Sequence, residues 1–490
     1  MGGAFSYSGI IESKDGRLIP VIRNAGSGQE TAMHSKYNPL KEVEAFADAI
    51  DESCFFLVIL GLAGGYHIEK ALEKNPGRKI IVAENSPDDF SFLMRIPTVR
   101  RLAEDKRVIF SDFSGIEESV LANYKPAIHG NLTILSLRQW ENLFHEEALL
   151  FRRKITGTVK LLAADYSVQS HFGKIWQKNI LTNLSLAENA VSFNKIKNMG
   201  KSEKTAAVIA AGPSLNSSVS ELKKNRDGYF VIATDTAFSA LTAYGVKSDA
   251  VISIDGQQVS HQHYMDKPHE DTIFVFDLCA SPSAVRRVMR KGGKTLFVET
   301  GHPLAQYASL CSKRHSFPHI EAGSGTVTIA AASLAKKMGF SRIEFFGADF
   351  SYTDGAPYAR GTYLEKQFHS GSCRLSAAEK SYTELMFRSP TIRISENKIT
   401  TEILEAYRAS LDDFMRRTKG EPAPEEDYGE FRLKDFKSVY LKELAASFSS
   451  EREFDENSRA FMTLLPLCAK LGKGSAFLAY LKTLRYTELI

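Results

Sequence analysis

Residues 34–84 alternate apolar and polar blocks in an order that predicts helix, strand, turn, helix and strand. Asn38 is the predicted N-cap of a first helix, with Pro39 in its first turn. The apolar run 55–60 predicts a buried strand, GLAGG at 61–65 a turn, 66–74 a helix and 79–83 a second strand that ends at Glu84. This order is typical of a Rossmann-like unit, whose turn receives an anion and whose acid holds a ribose. A tight turn that binds nothing stays open, because the glycine spacing departs from GxGxxG.

From about residue 155 to 200 the pattern becomes helical, with one apolar stripe suited to packing. A second alternation of strands and helices follows, which predicts a mainly parallel sheet with helices on both faces. The predicted strands are Thr205–Ala210, Tyr229–Thr234, Ala250–Ile254, Ile273–Phe276, Thr295–Glu299 and Arg342–Phe346.

After about residue 375 we predict a strand at 391–395, then a helix capped by Thr400 or Thr401 and ended by Gly420. A Pro- and acid-rich linker at 421–427 precedes a last helical segment. The expected fold class is α/β, with an N-terminal Rossmann-like domain, a central doubly wound domain and a mainly helical C-terminal domain. The expected bounds are 1–160 for the N-terminal domain, 161–200 for connecting helices, 201–375 for the central domain and 376–490 for the C-terminal domain.

Composition narrows the class of protein. At 490 residues, with 43% apolar and 24% charged residues, the chain has several globular domains rather than a disordered or fibrous structure. Its 62 basic and 58 acidic residues leave a net charge of +4, so we expect no nucleic-acid or membrane partner. Five scattered cysteines without a CxxC pair, and the lack of a long apolar run, favour a cytoplasmic protein.

Polar residues follow the ends of three strands in the second unit, where a doubly wound sheet binds ligands. Gly212 allows a ligand to approach the backbone, Pro213 fixes the turn and Ser214 offers a hydroxyl. Asp235 and Asp255 end the next two strands. A single such acid is usually a cap or turn residue, but three polar strand ends favour a ligand site. The binding residues predicted from these ends are Gly212, Pro213, Ser214, Leu215, Asp235 and Asp255.

A second polar cluster begins with GSGTVT at 323–328, which opens a helix. Its free amides and the helix dipole favour a phosphate, although an ordinary capped helix would have the same pattern. Tyrosine, arginine and histidine donors follow it, which suits a departing phosphate. The residues predicted in this cluster are Gly323, Ser324, Gly325, Thr326, Asp349, Tyr352, Tyr358, Arg360 and His369. The HxH pair His261 and His263 lacks a third ligand and is interpreted as surface, so no metal site is predicted.

Five segments are more specific in combination than any one alone. They are HSKYNPLKE at 34–42, AAGPSL at 210–215, ATDTAF at 233–238, VISIDGQ at 251–257, and GSGTVT to GADFSY over 323–352. With them the chain resembles, over nearly its whole length, the Maf (motility-associated factor) family of flagellin glycosyltransferases. The central segments are similar to bacterial sialyltransferases. The resemblance implies a cytoplasmic enzyme that moves a nonulosonic acid, of sialic, pseudaminic or legionaminic type, from a CMP donor to Ser or Thr of flagellin.

The resemblance also implies residue roles. Ser324 and Gly325 match the phosphate loop of the sialyltransferases, and Tyr358 matches a tyrosine that contacts the leaving phosphate. Asp235 and Asp255 stand where the sialyltransferases have asparagines. The histidine base has no secure counterpart, and His369 is the nearest by order. We therefore expect Tyr358, His369 and Asp349 to be the catalytic residues, with neither metal nor cofactor, because two hydroxyls and helix-end amides can hold a single phosphate.

Two other functions stay open. The GPSL segment also resembles archaeal 6-hydroxymethyl-dihydropterin pyrophosphokinases, which are MptE-like and would use ATP and magnesium held by Asp235, Asp255 and Asp349. A pterin substrate, however, needs neither of the flanking domains. The third candidate is a non-catalytic chaperone that binds flagellin and keeps an unused pocket.

Overall fold

The contacts within the computed structural model divide the chain into two compact units. The first contains residues 1–171 and 465–476, and the second contains 172–464 and 477–490. The structure describes residues 5–201, 203–266, 269–311, 314–323, 325–421 and 426–489. Within these ranges no helix combines the length and apolar character that a membrane crossing requires.

The first unit is built on a four-stranded parallel sheet in the order β6-β5-β4-β7. Strand β4 is buried along its whole length because its five apolar residues face helices on both sides. The elements are β1 (Phe5–Glu12), β2 (Leu18–Asn24), β3 (Glu30–Ala32), α1 (Pro39–Asp48), β4 (Phe56–Leu60), α2 (Tyr66–Lys74), β5 (Lys79–Glu84), α3 (Pro87–Leu93), α4 (Pro97–Glu104), β6 (Val108–Asp112), α5 (Ile116–Asn123), α6 (Pro126–His129), β7 (Leu132–Ser136), α7 (Arg138–Leu143) and α8 (His145–Ala187).

The segment HSKYNPLKE makes local contacts in the first unit. Asn38 caps α1 by accepting from Lys41 N at 3.1 Å, as the sequence predicts. The Glu42 carboxylate accepts from Ser35 N at 2.9 Å. His34 Nε2 accepts from Gly64 N at 3.1 Å. The segment therefore fixes the glycine turn after β4.

The second unit contains a six-stranded parallel sheet in the order β12-β11-β10-β9-β8-β13. One face packs on the alanine-rich helix α13 through Ala330, Ala331 and Leu334. A small antiparallel sheet, β14-β16-β15, follows. The elements are β8 (Thr205–Ile209), α9 (Leu215–Lys224), β9 (Tyr229–Thr234), α10 (Asp235–Ala243), β10 (Ala250–Ser253), β11 (Ile273–Asp277), α11 (Pro282–Arg290), β12 (Lys294–Val298), α12 (Pro303–Ser309), α13 (Val327–Lys337), β13 (Ile343–Phe346), β14 (Tyr352–Thr353), α14 (Tyr363–Ser370), α15 (Ala378–Met386), β15 (Ile392–Ser395), β16 (Lys398–Thr400), α16 (Glu402–Arg417), α17 (Leu433–Ala446) and α18 (Arg459–Met462). Helix α19 (Leu465–Leu471) belongs to the first unit, and α20 (Ala476–Glu488) belongs almost entirely to the second.

The α/β class with parallel sheets and a helical C-terminal region is confirmed. The four segments expected from the sequence stay a prediction. The contacts group the chain into two compact units, and residues 145–187 form one continuous helix across the expected boundary after residue 160. Helix α17 packs within the second unit, where Tyr307 of α12 donates to Glu443 at 2.6 Å.

Candidate functional site

The order of the six-stranded sheet reverses between β8 and β13, the point at which a doubly wound sheet opens a crevice. Gly212 N donates to Gly347 O at 2.8 Å across this point. A Cβ on Gly212 would lie 2.5 Å from Asp349 Oδ2, so only glycine fits. Ser214 donates to Asp349 through both its amide, at 2.8 Å, and its hydroxyl. The GPS loop and GADFSY, far apart in sequence, thus form one constellation.

Some residues next to this constellation hold the loops in place rather than face a ligand. Leu215 is fully buried and packs against Gly347, so its role is to anchor α9. Pro213 O accepts from Asn216 N at 3.1 Å and closes the turn. Phe350 has a positive φ of 47°, and Thr400 donates to its carbonyl at 2.9 Å. These contacts fix the loop that carries Asp349.

Asp235 and Asp255 end β9 and β10, the next two strands across the sheet. Asp235 is 4% exposed, and its Oδ2 accepts from the Ser253 hydroxyl at 2.6 Å. Asp255 is half-buried and its Oδ1 accepts from Gln257 N at 2.9 Å. Burial raises the pKa of Asp255, and the nearby charge of Asp235 raises it further. The two acids lie close together, as the sequence predicts.

Two tyrosines, Tyr358 and Tyr363, lie near these acids. Burial raises the pKa of Tyr358, as do Tyr352 and Asp235, while Arg388 lowers it. Burial likewise raises the pKa of Tyr363, followed by Tyr358 and Asp255. Both phenols therefore stay protonated at neutral pH and can donate hydrogen bonds. Tyr352 and Tyr358 belong to the predicted set, whereas Tyr363 does not.

The GSGTVT loop opens α13. This helix precedes a parallel strand, so its N-terminus lies at the carboxyl edge of the sheet, on the side of the other polar residues. Thr326 caps the helix by accepting from Thr328 N at 3.4 Å, and Gly323 and Gly325 have positive φ values of 53° and 87°. Ser324 lies outside the described residues.

Arg360 and His369 have other surroundings. Arg360 N donates to Asn216 Oδ1 at 2.9 Å, and its side chain is exposed. The His369 side chain is 53% exposed, and its Nε2 lies 3.2 Å from Glu365 and 3.0 Å from the Tyr382 hydroxyl. Among the residues the structure describes, no contact joins His369 to Tyr358 or Asp235.

Sequence reasoning missed two buried asparagines of helix α8 that contact the loops after β10 and β11. Asn179 of α8 donates to Gly256 O at 2.9 Å and to Cys279 O at 3.0 Å. Asn183, one turn later, donates to Leu278 O at 2.9 Å and to Ala280 O at 2.8 Å. These amides fix the loops after β10 and β11. The sequence does contain a signal for them, because two asparagines stand four residues apart within the apolar stripe of 172–184.

Asp277, at the end of β11, was also missed. It is 2% exposed, and burial raises its pKa to about 7. Thr300 donates to its Oδ2 at 2.7 Å.

Within the described ranges, no three acidic, histidine or cysteine side chains converge as metal ligands would.

The glycine turn of the first unit is closed. A Cβ on Gly61 would lie 2.7 Å from Trp140, whose side chain fills the switch point between β4 and β7. Glu84 is fully buried and accepts from Leu62 N at 2.6 Å, Trp140 Nε1 at 2.8 Å and the Tyr7 hydroxyl at 3.0 Å. A ribose cannot reach it, so this turn agrees with the alternative that binds nothing.

Similar proteins agree with this architecture. Residues 178–355 match the family model described as 6-hydroxymethylpterin diphosphokinase MptE-like. An uncharacterized protein of Treponema pallidum (strain Nichols) is 40% identical over 179 residues, which are 36% of this chain and 62% of that protein. A second uncharacterized protein of this organism is 36% identical over 146 residues, 30% of this chain and 68% of that protein. This chain thus covers less than two thirds of the length of the first relative.

One solved structure is similar over nearly the whole chain. The Maf glycosyltransferase from Magnetospirillum magneticum AMB-1 aligns with 98% of this chain and 87% of its own, with a TM-score of 0.50 and 13% identity. At that identity the likeness concerns the fold. The chain therefore belongs to the family of the second treponemal relative, carries an MptE-like region at its centre, and has the Maf glycosyltransferase fold that its sequence resembles.

Proposed function

We propose that the protein is a glycosyltransferase that moves a nonulosonic acid from a CMP-activated donor to Ser or Thr hydroxyls of flagellin. The observation that carries the proposal is the crevice at the β8/β13 switch point. There Ser214 and Asp349 are locked together, and Tyr358 lies near Asp235. The Maf fold over 98% of the chain supports the same activity.

In this proposal CMP occupies the switch-point crevice. Gly212 lets the nucleotide approach the backbone, and Asp235 and Asp255 offer acceptors to its ribose or base. The phosphate lies at the Gly325–Thr326 end of α13, where free amides favour an anion.

The chemical task is to stabilise the departing CMP. The anomeric carbon of a nonulosonic acid is tertiary and carries a carboxylate, so its transition state is oxocarbenium-like. Tyr358 is a protonated phenol beside the crevice and would donate to the phosphate as charge develops. The flagellin acceptor and the sugar come from the resemblance to the Maf family.

A second candidate function is pterin pyrophosphokinase, favoured by the MptE-like match over residues 178–355. It would need magnesium on Asp235, Asp255 and Asp349. The carboxylate oxygens of Asp235 and Asp349 accept hydrogen bonds from Ser253, Thr236 and Ser214. Within the described ranges these three acids do not converge as metal ligands would, so we favour the metal-free reaction.

The test is to compare binding of CMP with binding of ATP, with and without EDTA, by calorimetry on the full chain. The proposal expects CMP to bind in EDTA, and CMP to be released from CMP-N-acetylneuraminate or a related donor when flagellin is added. Magnesium-dependent ATP binding with pterin consumption would establish the kinase instead. Flagellin binding unaffected by Ser214→Ala or Tyr358→Phe, without CMP release, would indicate the chaperone.

A further inference from the structure

The small antiparallel sheet of the second unit has an exposed outer strand. In the order β14-β16-β15, strand β15 pairs with β16, and among the described residues its other edge has no strand partner. All four residues of Ile392–Ser395 are exposed, with Ile392 at 45% and Ile394 at 46%. In the described part of the chain, no hydrogen bond from outside the β15–β16 hairpin reaches the main chain of β15. Alternate N–H and C=O groups of this edge therefore point to solvent.

The edge is only partly protected against pairing. Natural edge strands are usually short and carry charges or bulges that block association. Strand β15 has a bulge between Arg393 and Ser395, which limits its regular edge to a short segment. It nevertheless presents two exposed isoleucines, whose β-branched side chains favour a neighbouring strand. Phe387, a few residues before β15, is also exposed, at 56%. This combination suits one short, partly apolar partner segment.

The chemistry of a free strand edge selects a polypeptide. Another extended main chain offers donors and acceptors at the spacing that the edge requires, whereas a sugar or nucleotide does not. Arg388 and Arg393, before and within β15, are exposed and form no ion pair with another described residue. Their charges favour a segment that has acidic side chains beside its apolar ones.

Described contacts connect this edge with the candidate site. The Thr400 hydroxyl, at the end of β16, donates to the carbonyl of Phe350, the residue after Asp349, at 2.9 Å. Strand β14 begins two residues after Phe350 and pairs with β16 through Tyr352 and Ile399. Neighbouring strands lie about 4.8 Å apart, so a strand added outside β15 would lie roughly 15 Å from β14. About five extended residues cover that distance.

We propose that β15 binds an extended segment of the polypeptide acceptor as a fourth strand of the small sheet, and thereby holds a neighbouring Ser or Thr at the crevice. The inference rests on the proposed function, because it assigns the acceptor of the same site. Main-chain hydrogen bonds supply affinity, and the isoleucines and arginines select the segment. Docking at β15 acts on the affinity for the acceptor and leaves the donor site unchanged.

The first experiment measures amide hydrogen exchange of residues 391–395 in the full-length wild type, with monomeric flagellin as the probe. Flagellin should slow exchange at the outward amides of β15 at least about tenfold, whereas CMP alone should not. Unchanged exchange at every flagellin concentration would overturn the proposal. Slowing that increases with the concentration of the protein itself, without flagellin, would also overturn it, because a second copy would then occupy the edge.

The second experiment uses a double variant, Ile392→Thr with Ile394→Thr, which keeps β-branched side chains but removes apolar surface. With CMP-N-acetylneuraminate as the donor probe, the KM for flagellin should rise at least about tenfold and the donor KM should stay unchanged. Val439→Thr, at an exposed position of α17, is the matched control. Circular dichroism and CMP binding check that each variant folds. An unchanged flagellin KM in the double variant, or an equal rise in the control, would contradict the docking role.

A third variant, Arg393→Gln, tests the charge of the edge without removing apolar surface. It should raise the flagellin KM severalfold and weaken the dependence of that KM on salt, since a screened charge pair is lost. Identical salt dependence in Arg393→Gln and the wild type would refute the selection of an acidic segment. Absence of CMP binding by the wild type would reject the proposed function, and slowed exchange in flagellin would then still establish β15 as the docking strand.

Discussion

At the scale of single residues, the Tyr358 hydroxyl is expected to act on the transition state. Tyr358→Phe removes a protonated donor and should lower kcat about 100- to 1,000-fold while donor KM changes little. The control is Tyr229→Phe, which removes a hydroxyl bonded to Glu344 at the opposite, amino end of β9. Steady-state kinetics check both variants, and a change in kcat below about threefold in Tyr358→Phe contradicts the role.

Gly212 is expected to tolerate no side chain. A Cβ there would lie 2.5 Å from both Asp349 Oδ2 and Gly347 O, so Gly212→Ala must push β8 and β13 apart. We expect about 1–3 kcal/mol of lost stability and a large fall in CMP affinity. Gly228→Ala is the control, because nothing lies within 4 Å of its added Cβ. Equal CMP affinity in the two variants would show that the nucleotide binds outside this crevice.

Glu84 predicts a pH dependence of stability. Burial raises its folded-state pKa to about 7, above the ordinary value of 4.5. The folded protein therefore holds this proton more tightly than the unfolded chain, and the resulting stabilisation, complete below about pH 4.5, is lost as pH rises through 7. Thermal melts from pH 4.5 to 8 should show this loss in the wild type. Glu84→Gln cannot titrate and should lack that component; an unchanged slope would disprove the assignment.

The sequence predicts those residues whose role is local. Asn38 caps its helix and Gly212 lies in the turn that follows a strand, because short-range backbone geometry determines both. It interprets His263 as surface, whereas the fold buries this ring against Tyr363 of α14, a hundred residues later in the sequence. Nor does it predict that Trp140 fills the first unit's glycine turn, since that contact joins distant segments.

At the scale of elements, α8 is expected to stabilise the crevice. Asn183→Leu would leave the carbonyls of Leu278 and Ala280 without its two hydrogen bonds, costing about 1–3 kcal/mol. The loop after β11 would loosen and CMP affinity would fall. Thr182→Val is the control, because its hydroxyl bonds only within its own helix. Denaturant unfolding and CMP titration measure both effects, and equal values for the two variants would refute them.

The sequence predicts best those elements that have a continuous or periodic run of apolar residues. The eight strands predicted for the two parallel sheets lie within one or two residues of the observed bounds, because continuous apolar runs mark strands covered on both faces. Strands β6 and β7 of the first sheet, which are only partly buried, were not predicted. The antiparallel β1, β2 and β3 were missed, since they are only partly buried and β1 contains a bulge between Tyr7 and Gly9. Helix α8 begins at His145 and ends at Ala187, so the helical region predicted from about residue 155 to 200 starts and ends too late.

At the scale of the whole molecule, the two units have separate hydrophobic cores and should unfold separately. Differential scanning calorimetry should resolve two transitions. CMP at about 100 times its Kd should stabilise the second unit by about 2.7 kcal/mol and leave the first unchanged. A shift of both transitions, or of the first alone, would place the nucleotide outside the crevice described above.

The late position of one segment of the first unit affects how that unit folds during synthesis. Residues 465–476 complete the first unit: Cys468 is fully buried, and Lys473 donates to Ser53 O at 3.0 Å and lies 4.2 Å from the Phe55 ring. At ribosomal speeds of about 5–20 residues per second, residues 1–171 wait roughly 15 to 60 s for this segment. The first unit of the nascent chain therefore carries an unfinished apolar surface until residues 465–476 have been translated. Stalled or prematurely terminated chains should thus be clients of chaperones and proteases.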